Sequence, residues 1–487
     1  MNRTLVILLL LFGVLSAAEI RDNELYLEIN VSVDKQIVIS GESFNIQEQD
    51  PLFSNDYSGS VRITLPANTS ESRFGIIQRV VDESVRGYMQ GIPSSKFVWE
   101  DGKLALKNEY AIYLNQSFTS YEDALQLAQM MGYPESNIQQ IPIVNASLRI
   151  DSNSGEQEYF ESPIHIFAED GIQIDGITYK GEFIVKALNG KLVLNHLLPL
   201  ENYIAGVVPN EIGNSSPMEA LKAQAVAARS HAVSLLGYNR HLKDGYDLCN
   251  KTHCQVYKGE HLQNDSIQNA VMETAGEILY IDDKVADATY HSSCGGKTDS
   301  SVSIWNGTPL SHLSGSSCIE AARNIDLSQE PQAIKWINTP LDTKGMSSWE
   351  RAAMNWQRSI SKEQLAKNLG LKYLTSVQII RRGSSGRILL MKFFGDRTID
   401  LSGEYKIRQA FGSLPSSLFY IQGINGRAKH SLGNQITLKG RGSGHGVGMC
   451  QIGVLRKARA GEEYESILQN YYPQTTIITD WMNDDKR

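Results

Sequence analysis

The chain has 487 residues, enough for two or three domains, and its 41% hydrophobic and 21% charged content is that of an ordinary globular protein. A formal net charge of −8 argues against nucleic acid as a partner, which usually meets a basic face. Five cysteines, all in the second half, are too few and too unevenly placed for a small disulfide scaffold.

Residues 1–18 have the pattern of a secretory signal. Arg3 gives a basic start, residues 5–14 an apolar run, and Ser16, Ala17 and Ala18 the small residues of a cleavage site. The run is shorter than the roughly 20 apolar residues that a bilayer core of about 30 Å requires. Export to the periplasm or cell envelope is therefore expected.

Residues 19–160 are expected to form a smaller α/β N-terminal region. Residues 61–65 and 109–114 read as strands, and a helix follows over 120–131. Ser120 can cap that helix, Glu122 and Asp123 sit at its positive end, and Gly132 can stop it. A returning strand over 141–148 would complete a β-α-β piece with a faint similarity to the glycan-binding SPOR type. An accessory packing role is the simpler expectation.

Residues 161–475 read as one mixed α+β, sheet-rich domain, with 476–487 as a tail. Residues 171–175, 179–185 and 191–195 alternate as strands between Gly and Asn turns. The clearest helix follows, with Ser216 as N-cap, Pro217 in the first helical position and Glu219 completing a capping box. Leu221, Ala225, Ala228, Ala232 and Leu235 share one face, and Gly237 ends the run. Strands over 378–381 and 388–394 and a last helix over 451–460 complete the pattern.

Four segments carry chemistry. The apolar stretch 203–208 ends at Glu211, where desolvation would favour the protonated carboxyl and suit it to proton transfer; surface solvation or cap support is the plainer reading of a lone Glu. His445 stands among Gly442, Gly444, Gly446, Gly448 and Gly453 without the Lys-Ser/Thr end of a phosphate loop, as in a tight turn or a close ligand approach. His291, Ser292 and Cys294 precede Gly295 and Gly296; they offer a Cys–His pair or a structural turn. Cys249, His253 and Cys254 lie within six residues, and with His241 or Cys294 they would suit one zinc ion, a Cys249–Cys254 disulfide being the competing reading.

These segments occur in the order and wording of one family. LPLENY (198–203), GVVPNE (206–211), ALKAQAVAAR (220–229), CQVY (254–257), YHSSCGGKT (290–298), GSGHGVGM (442–449) and ILQNYY (467–472) resemble the SpoIID (stage II sporulation protein D) family. The resemblance covers residues 164–475 and leaves the N-terminal third outside. It implies a lytic transglycosylase that cleaves the MurNAc–GlcNAc bond of peptidoglycan and leaves a 1,6-anhydro-MurNAc end. It also implies glycan strands stripped of their stem peptides, and hence an N-acetylmuramoyl-L-alanine amidase as functional partner. The family's catalytic Glu matches Glu211. Its zinc ligands, where members have them, match His241, Cys249, His253 and Cys254, for one structural zinc. Arg229, Gln255, Tyr257, His291, Ser292 and His445 fall in the matching motifs and are expected to bind substrate. Two rivals stay open: a zinc-dependent hydrolase of cell-wall peptides and a non-catalytic glycan-binding protein. Cys294 and Cys450 depart from the family, where Ser is usual, and the segment after Thr298 lacks an acidic residue often found there.

Overall fold

A computed structural model describes residues 19–482 apart from 22–23, 49–52, 67–72, 83–91, 119, 142–146, 260–263, 425 and 427. The expected signal, residues 1–18, lies outside the described residues. Leu25, Leu27 and Ile29 alternate with more polar neighbours, which puts them on one buried face of a strand. That strand is β2 (Glu24–Asp34), preceded by β1 (Glu19–Arg21) and followed by β3 (Gln36–Glu48) and β4 (Ser54–Thr64).

The chain then builds a separate antiparallel sheet from β5 (Arg73–Asp82), β6 (Ile92–Glu100), β7 (Lys103–Phe118) and, after helix α1 (Tyr121–Met131), β8 (Ile138–Ile141), in the order β6-β7-β5-β8. Helix α1 forms as its sequence suggests. The Ser120 hydroxyl accepts from the Asp123 N–H at 3.3 Å, and Gly132 closes the helix at φ 77°. Ala124 and Ala128 pack on Ile76 and Ile138. The strand expected over 141–148 is two elements. β8 ends at Ile141, residues 142–146 lie outside the described residues, and β9 (Ser147–Ser152) belongs to the first sheet.

β9, β10 (Gln157–Glu161), β11 (Ile164–Ile174), β12 (Ile177–Leu188) and β13 (Lys191–Pro199) return to that first sheet, whose order is β1-β2-β13-β12-β11-β3-β4-β9-β10. The boundary expected at residue 160 therefore does not follow the strand pairing. β2 pairs with β13 from Tyr26↔Pro199 to Asp34↔Leu192, and β3 pairs with β11. A strand with a buried apolar face and unpaired edge groups needs a neighbour, and here the neighbours come from beyond the boundary. The seam is also ionic. The Lys186 ammonium on β12 lies 2.7 and 2.6 Å from the two Glu28 carboxylate oxygens on β2, and both residues are buried.

Two helices follow β13: α2 (Leu200–Glu211) and α3 (Met218–Gly237). The expected capping box does not form. Helix α3 begins one residue later than expected, with Pro217 in the cap position, and the Ser216 hydroxyl donates back to the Ile212 carbonyl at 2.9 Å. Glu219 instead accepts from the Tyr464 N–H at 2.9 Å, a tertiary contact that wins over the local one. Leu221, Ala225, Ala228, Ala232 and Leu235 are all buried, and so are most other residues of α3. Small side chains let this central helix pack on every side. At Gly237, which ends the helix, an added Cβ would collide with the Trp99 indole.

Beyond α3 come β14 (Leu248–Cys249), parallel to β2, then α4 (Asp265–Glu273), β15 (Ile278–Ile281), β16 (Lys284–Val285) and β17 (Tyr290–His291). The next segment holds α5 (Ser301–Trp305), α6 (Glu330–Asn338), α7 (Ser348–Met354), β18 (Asn355–Ser361), α8 (Lys362–Asn368), β19 (Leu374–Arg382), β20 (Ile388–Gly395), β21 (Thr398–Ser402), α9 (Glu404–Ala410), β22 (Phe419–Ile421), β23 (His430–Ser431) and β24 (Gln435–Arg441). Much of it packs around its own core, which includes Trp356, Ile379, Met391, Phe393, Ile407 and Phe411. The chain then returns with β25 (Met449–Cys450), which pairs in parallel with β17, and ends in α10 (Gln451–Arg459), α11 (Tyr464–Tyr471) and β26 (Thr476–Ile478). β26 pairs with β15 and Trp481 is buried, so residues 476–482 are tied to the domain rather than forming a tail. The class is α+β with mixed sheets, as expected.

The Glu28–Lys186 pair provides a test of the N-terminal seam. Lys186→Ala leaves a buried carboxylate without its cation and is expected to cost about 3–5 kcal/mol in denaturant unfolding, whereas Glu28→Leu with Lys186→Met recovers most of that loss. Equal stability of the single and double variants would contradict this account.

Candidate functional site

Glu211 is the last residue of α2. Tyr203, Ile204, Val207 and Val208 bury that helix in the main core and leave Glu211 half-buried at its end. One carboxylate oxygen accepts from the Val256 N–H at 2.9 Å and the other from the Gln451 side-chain amide at 3.4 Å. The Tyr290 hydroxyl stands near enough to favour the charged form of Glu211. Burial pushes the Glu211 pKa up; the Val256, Gln451 and Tyr290 donors and the charge of His231 oppose this without cancelling it. The negative end of the α2 dipole acts in the same upward direction.

The hydroxyl on Tyr290 has a defined polarity. Burial holds its pKa well above 10, so it keeps its proton. It accepts from the Gln255 side-chain N–H at 2.9 Å, which leaves its own O–H to donate to Glu211. Gln255 in turn accepts from the Tyr203 hydroxyl at 3.1 Å and donates to the Ala228 carbonyl at 3.1 Å. Tyr203, Gln255 and Tyr290 thus form one directed chain of hydrogen bonds that ends beside Glu211.

Several residues expected to touch substrate are used up inside the protein. Arg229 is fully buried and bonds to both oxygens of Glu201, at 2.9 and 2.6 Å, and to the Glu277 carbonyl. Tyr257 is fully buried with its hydroxyl 2.9 Å from His196, and its ring packs so tightly on Gly206 that a Cβ there would collide with it. Gln255 is buried with both ends engaged. The His445 ring sits between two backbone groups: Nε2 lies 3.0 Å from the Tyr290 carbonyl, and Nδ1 accepts from the Val447 N–H at 3.1 Å. Those partners define a neutral tautomer protonated on Nε2, and burial pulls the His445 pKa well down. His445 thereby fixes Tyr290 and has no nitrogen left for a sugar. His291 is buried, with Nδ1 3.0 Å from the Val447 carbonyl. Ser292 is half-buried, and its carbonyl accepts from the Ile452 N–H at 3.1 Å.

Three partners escaped the sequence reading: Tyr290, Gln451 and His231. Tyr290 opens the matching YHSSCGGKT segment and Gln451 lies two residues past GSGHGVGM, and that closeness to the motifs was the one available signal. His231 lies 2.7 Å from the Asp287 carboxylate and edge-on to Tyr290, which adds positive charge near Glu211 whenever the imidazole is protonated.

His241, Cys249, His253 and Cys254 converge so that one donor atom of each lies within 4.8 Å of the others. The Cys254 sulfur is 3.3 Å from His241 Nε2, and both sulfurs are 3.8 Å from His253 Nδ1. His241 Nδ1 lies 2.8 Å from the Asp244 carboxylate, the outer partner that commonly orients a metal-bound imidazole. Two sulfurs and two nitrogens in this space fit a tetrahedral zinc ion.

The mixed α+β scaffold thus presents a half-buried carboxyl among amide, phenol and imidazole groups. Residues 189–280 match the family model described as SpoIID, Stage II sporulation protein, and residues 299–448 match a domain of unknown function, DUF8618. An uncharacterized protein of Brachyspira hyodysenteriae is 29% identical over 330 residues, 68% of this chain and 80% of that protein. The amidase enhancer of Bacillus subtilis is 28% identical over 70% of this chain and 48% of its own length, so the chain spans about half of that relative. Stage II sporulation protein D of Bacillus amyloliquefaciens is 26% identical over 58% of this chain and 74% of its own length. Over these segments the chain is similar to the SpoIID family.

The internal role of Arg229 is open to test. Arg229→Met is expected to lower unfolding stability by about 1.5–3 kcal/mol, the range for hydrogen bonds to charged groups. A variant of unchanged stability but weakened glycan binding would return Arg229 to the substrate.

Proposed function

We propose that the protein is a peptidoglycan lytic transglycosylase with Glu211 as its acid and base. One observation carries the reading: a half-buried carboxyl whose pKa is raised and whose hydrogen bonds come from an amide N–H and a glutamine, with a phenol close by, rather than from a second carboxyl. Ordinary glycosidases use two carboxyls. One suffices if the sugar supplies its own nucleophile. Protonated Glu211 gives its proton to the glycosidic oxygen as the bond from that oxygen to the MurNAc anomeric carbon breaks. The MurNAc 6-hydroxyl oxygen then bonds to the same carbon, and its proton passes to Glu211, which restores the acid. Holding that hydroxyl in place replaces a water molecule and its entropy cost. The Tyr290 and Gln451 donors stabilise the carboxylate formed between the two transfers.

The family and the relatives named stage II sporulation protein D and amidase enhancer support a role in cell-wall processing, with an amidase as functional partner that strips the glycan first. An exported protein of the periplasm or cell envelope fits that role. One zinc ion at His241, Cys249, His253 and Cys254 would be structural, since all four protein donors close around it. It would tie down the segment that continues into Gln255 and Val256, the first positioning Tyr290 and the second donating to Glu211.

Amidase-treated glycan strands incubated with the purified protein should give 1,6-anhydro ends by mass spectrometry. Glu211→Gln is expected to lower the rate about 10²–10⁴-fold, the usual worth of a general acid–base. Hydrated ends would mean hydrolysis, and shortened peptides would favour a zinc peptidase.

The pH dependence has a defined sign. Because the acid form of Glu211 starts the reaction and its pKa is raised, the rate falls as pH climbs through that raised value. The folded state also holds this proton more tightly than the unfolded chain, so ionising Glu211 costs stability above the ordinary Glu range. Glu211→Gln should therefore gain stability over wild type as pH rises through that window in thermal unfolding, and a loss there would contradict the burial argument.

A further inference from the structure

A second group of thiols lies away from the His241 cluster. Cys294 follows β17, Cys318 lies between α5 and α6, and Cys450 ends β25. Their three sulfurs lie within 4.8 Å of one another and none is in a disulfide. Tetrahedral zinc with bonds of about 2.3 Å to sulfur places its sulfurs about 3.8 Å apart, which this spacing admits.

Backbone N–H groups point at two of the three sulfurs. Cys450 Sγ accepts from the Cys294 N–H at 3.2 Å and the Gly453 N–H at 3.4 Å, and Cys294 Sγ accepts from the Gly296 N–H at 3.2 Å. Cys318 Sγ is 3.2 Å from the Tyr471 hydroxyl. Glycine at 453 is what lets that pair approach, because a Cβ there would stand 3.1 Å from the Cys318 sulfur and collide with the Tyr471 hydroxyl.

A fourth donor adjoins the group; its ring nitrogen lies outside the 4.8 Å that the three sulfurs share and would have to close on them as an ion binds. His291 is paired directly with Cys450 in the parallel β17–β25 ladder, which puts both side chains on the same face. Its Nδ1 faces the Val447 carbonyl and so carries the proton; buried Nε2 has a lone pair and no hydrogen-bond partner among the described residues. A buried acceptor without a donor is costly unless something fills the role.

We propose that Cys294, Cys318 and Cys450, with His291 Nε2, form a zinc site separate from the His241 cluster. The three thiols release their protons to solvent as the ion binds. Such an ion would lock β17 to β25, and those two strands carry Tyr290 and lead into Gln451, two of the donors on Glu211. The inference does not depend on what Glu211 does.

Zinc per chain, counted by native mass spectrometry on the full-length protein prepared under reducing conditions, tests the site. Cys318→Ser is expected to lose one zinc relative to wild type, whether or not the His241 cluster is loaded, and Cys318→His to regain it. An unchanged count in the Ser variant overturns the proposal. So does an intact mass two hydrogens lower with a cross-linked peptide joining two of the three cysteines. If the Ser variant does not fold, zinc X-ray absorption of the wild type decides. More sulfur than nitrogen around zinc supports the site; equal numbers, as the His241 cluster alone would give, or no bound zinc sink it.

Discussion

A carboxyl is pushed toward its protonated form when it leaves water without gaining a fixed cation. Glu211 is placed in that way, at the negative end of a buried helix with neutral donors bonded to it. Those donors come from far apart in the chain: Val256 from the segment after the His241 cluster, Tyr290 from β17, and Gln451 from the start of α10. The site exists only where these three pieces meet on the end of α2. Much of the surrounding structure acts to bring them there.

That requirement explains why polar residues in the matching motifs turn inward. Gln255 aims the Tyr290 hydroxyl, His445 grips the Tyr290 carbonyl, and Tyr257 wedges the following loop against Gly206. Arg229 ties α3 to Glu201 and to the Glu277 carbonyl just before β15. A residue that positions another is as constrained as one that touches a ligand, because a small shift in a hydrogen-bonded carboxyl changes both its acidity and its aim.

Legibility in the sequence followed the range of the interaction involved. Helix α1 was readable down to its caps, because Ser120 and Gly132 act within a few residues. The cap expected of Ser216 and Glu219 was not, since Glu219 is claimed by Tyr464, a partner that no local pattern reveals. The N-terminal boundary failed for the same reason: pairing of β2 with β13 joins residues more than 150 positions apart. Glu211 stood out because it follows an apolar run directly. Motif wording marked the other site residues without separating those facing a ligand from those facing the core. The convergence of Cys294, Cys318 and Cys450 was invisible, since their spacing in the chain says nothing about their spacing in the fold.

The excursion between β17 and β25 leaves the core at His291 and rejoins it at Met449, and these strands are immediate neighbours. A detour that starts and finishes at one doorway puts almost no geometric demand on its own length, because closing a longer loop adds little entropy cost. Its contents can be enlarged, trimmed or exchanged over evolutionary time while the machinery at the threshold stays in register. The segment matching a domain of unknown function occupies this detour, so it is where the fold leaves the most freedom to differ.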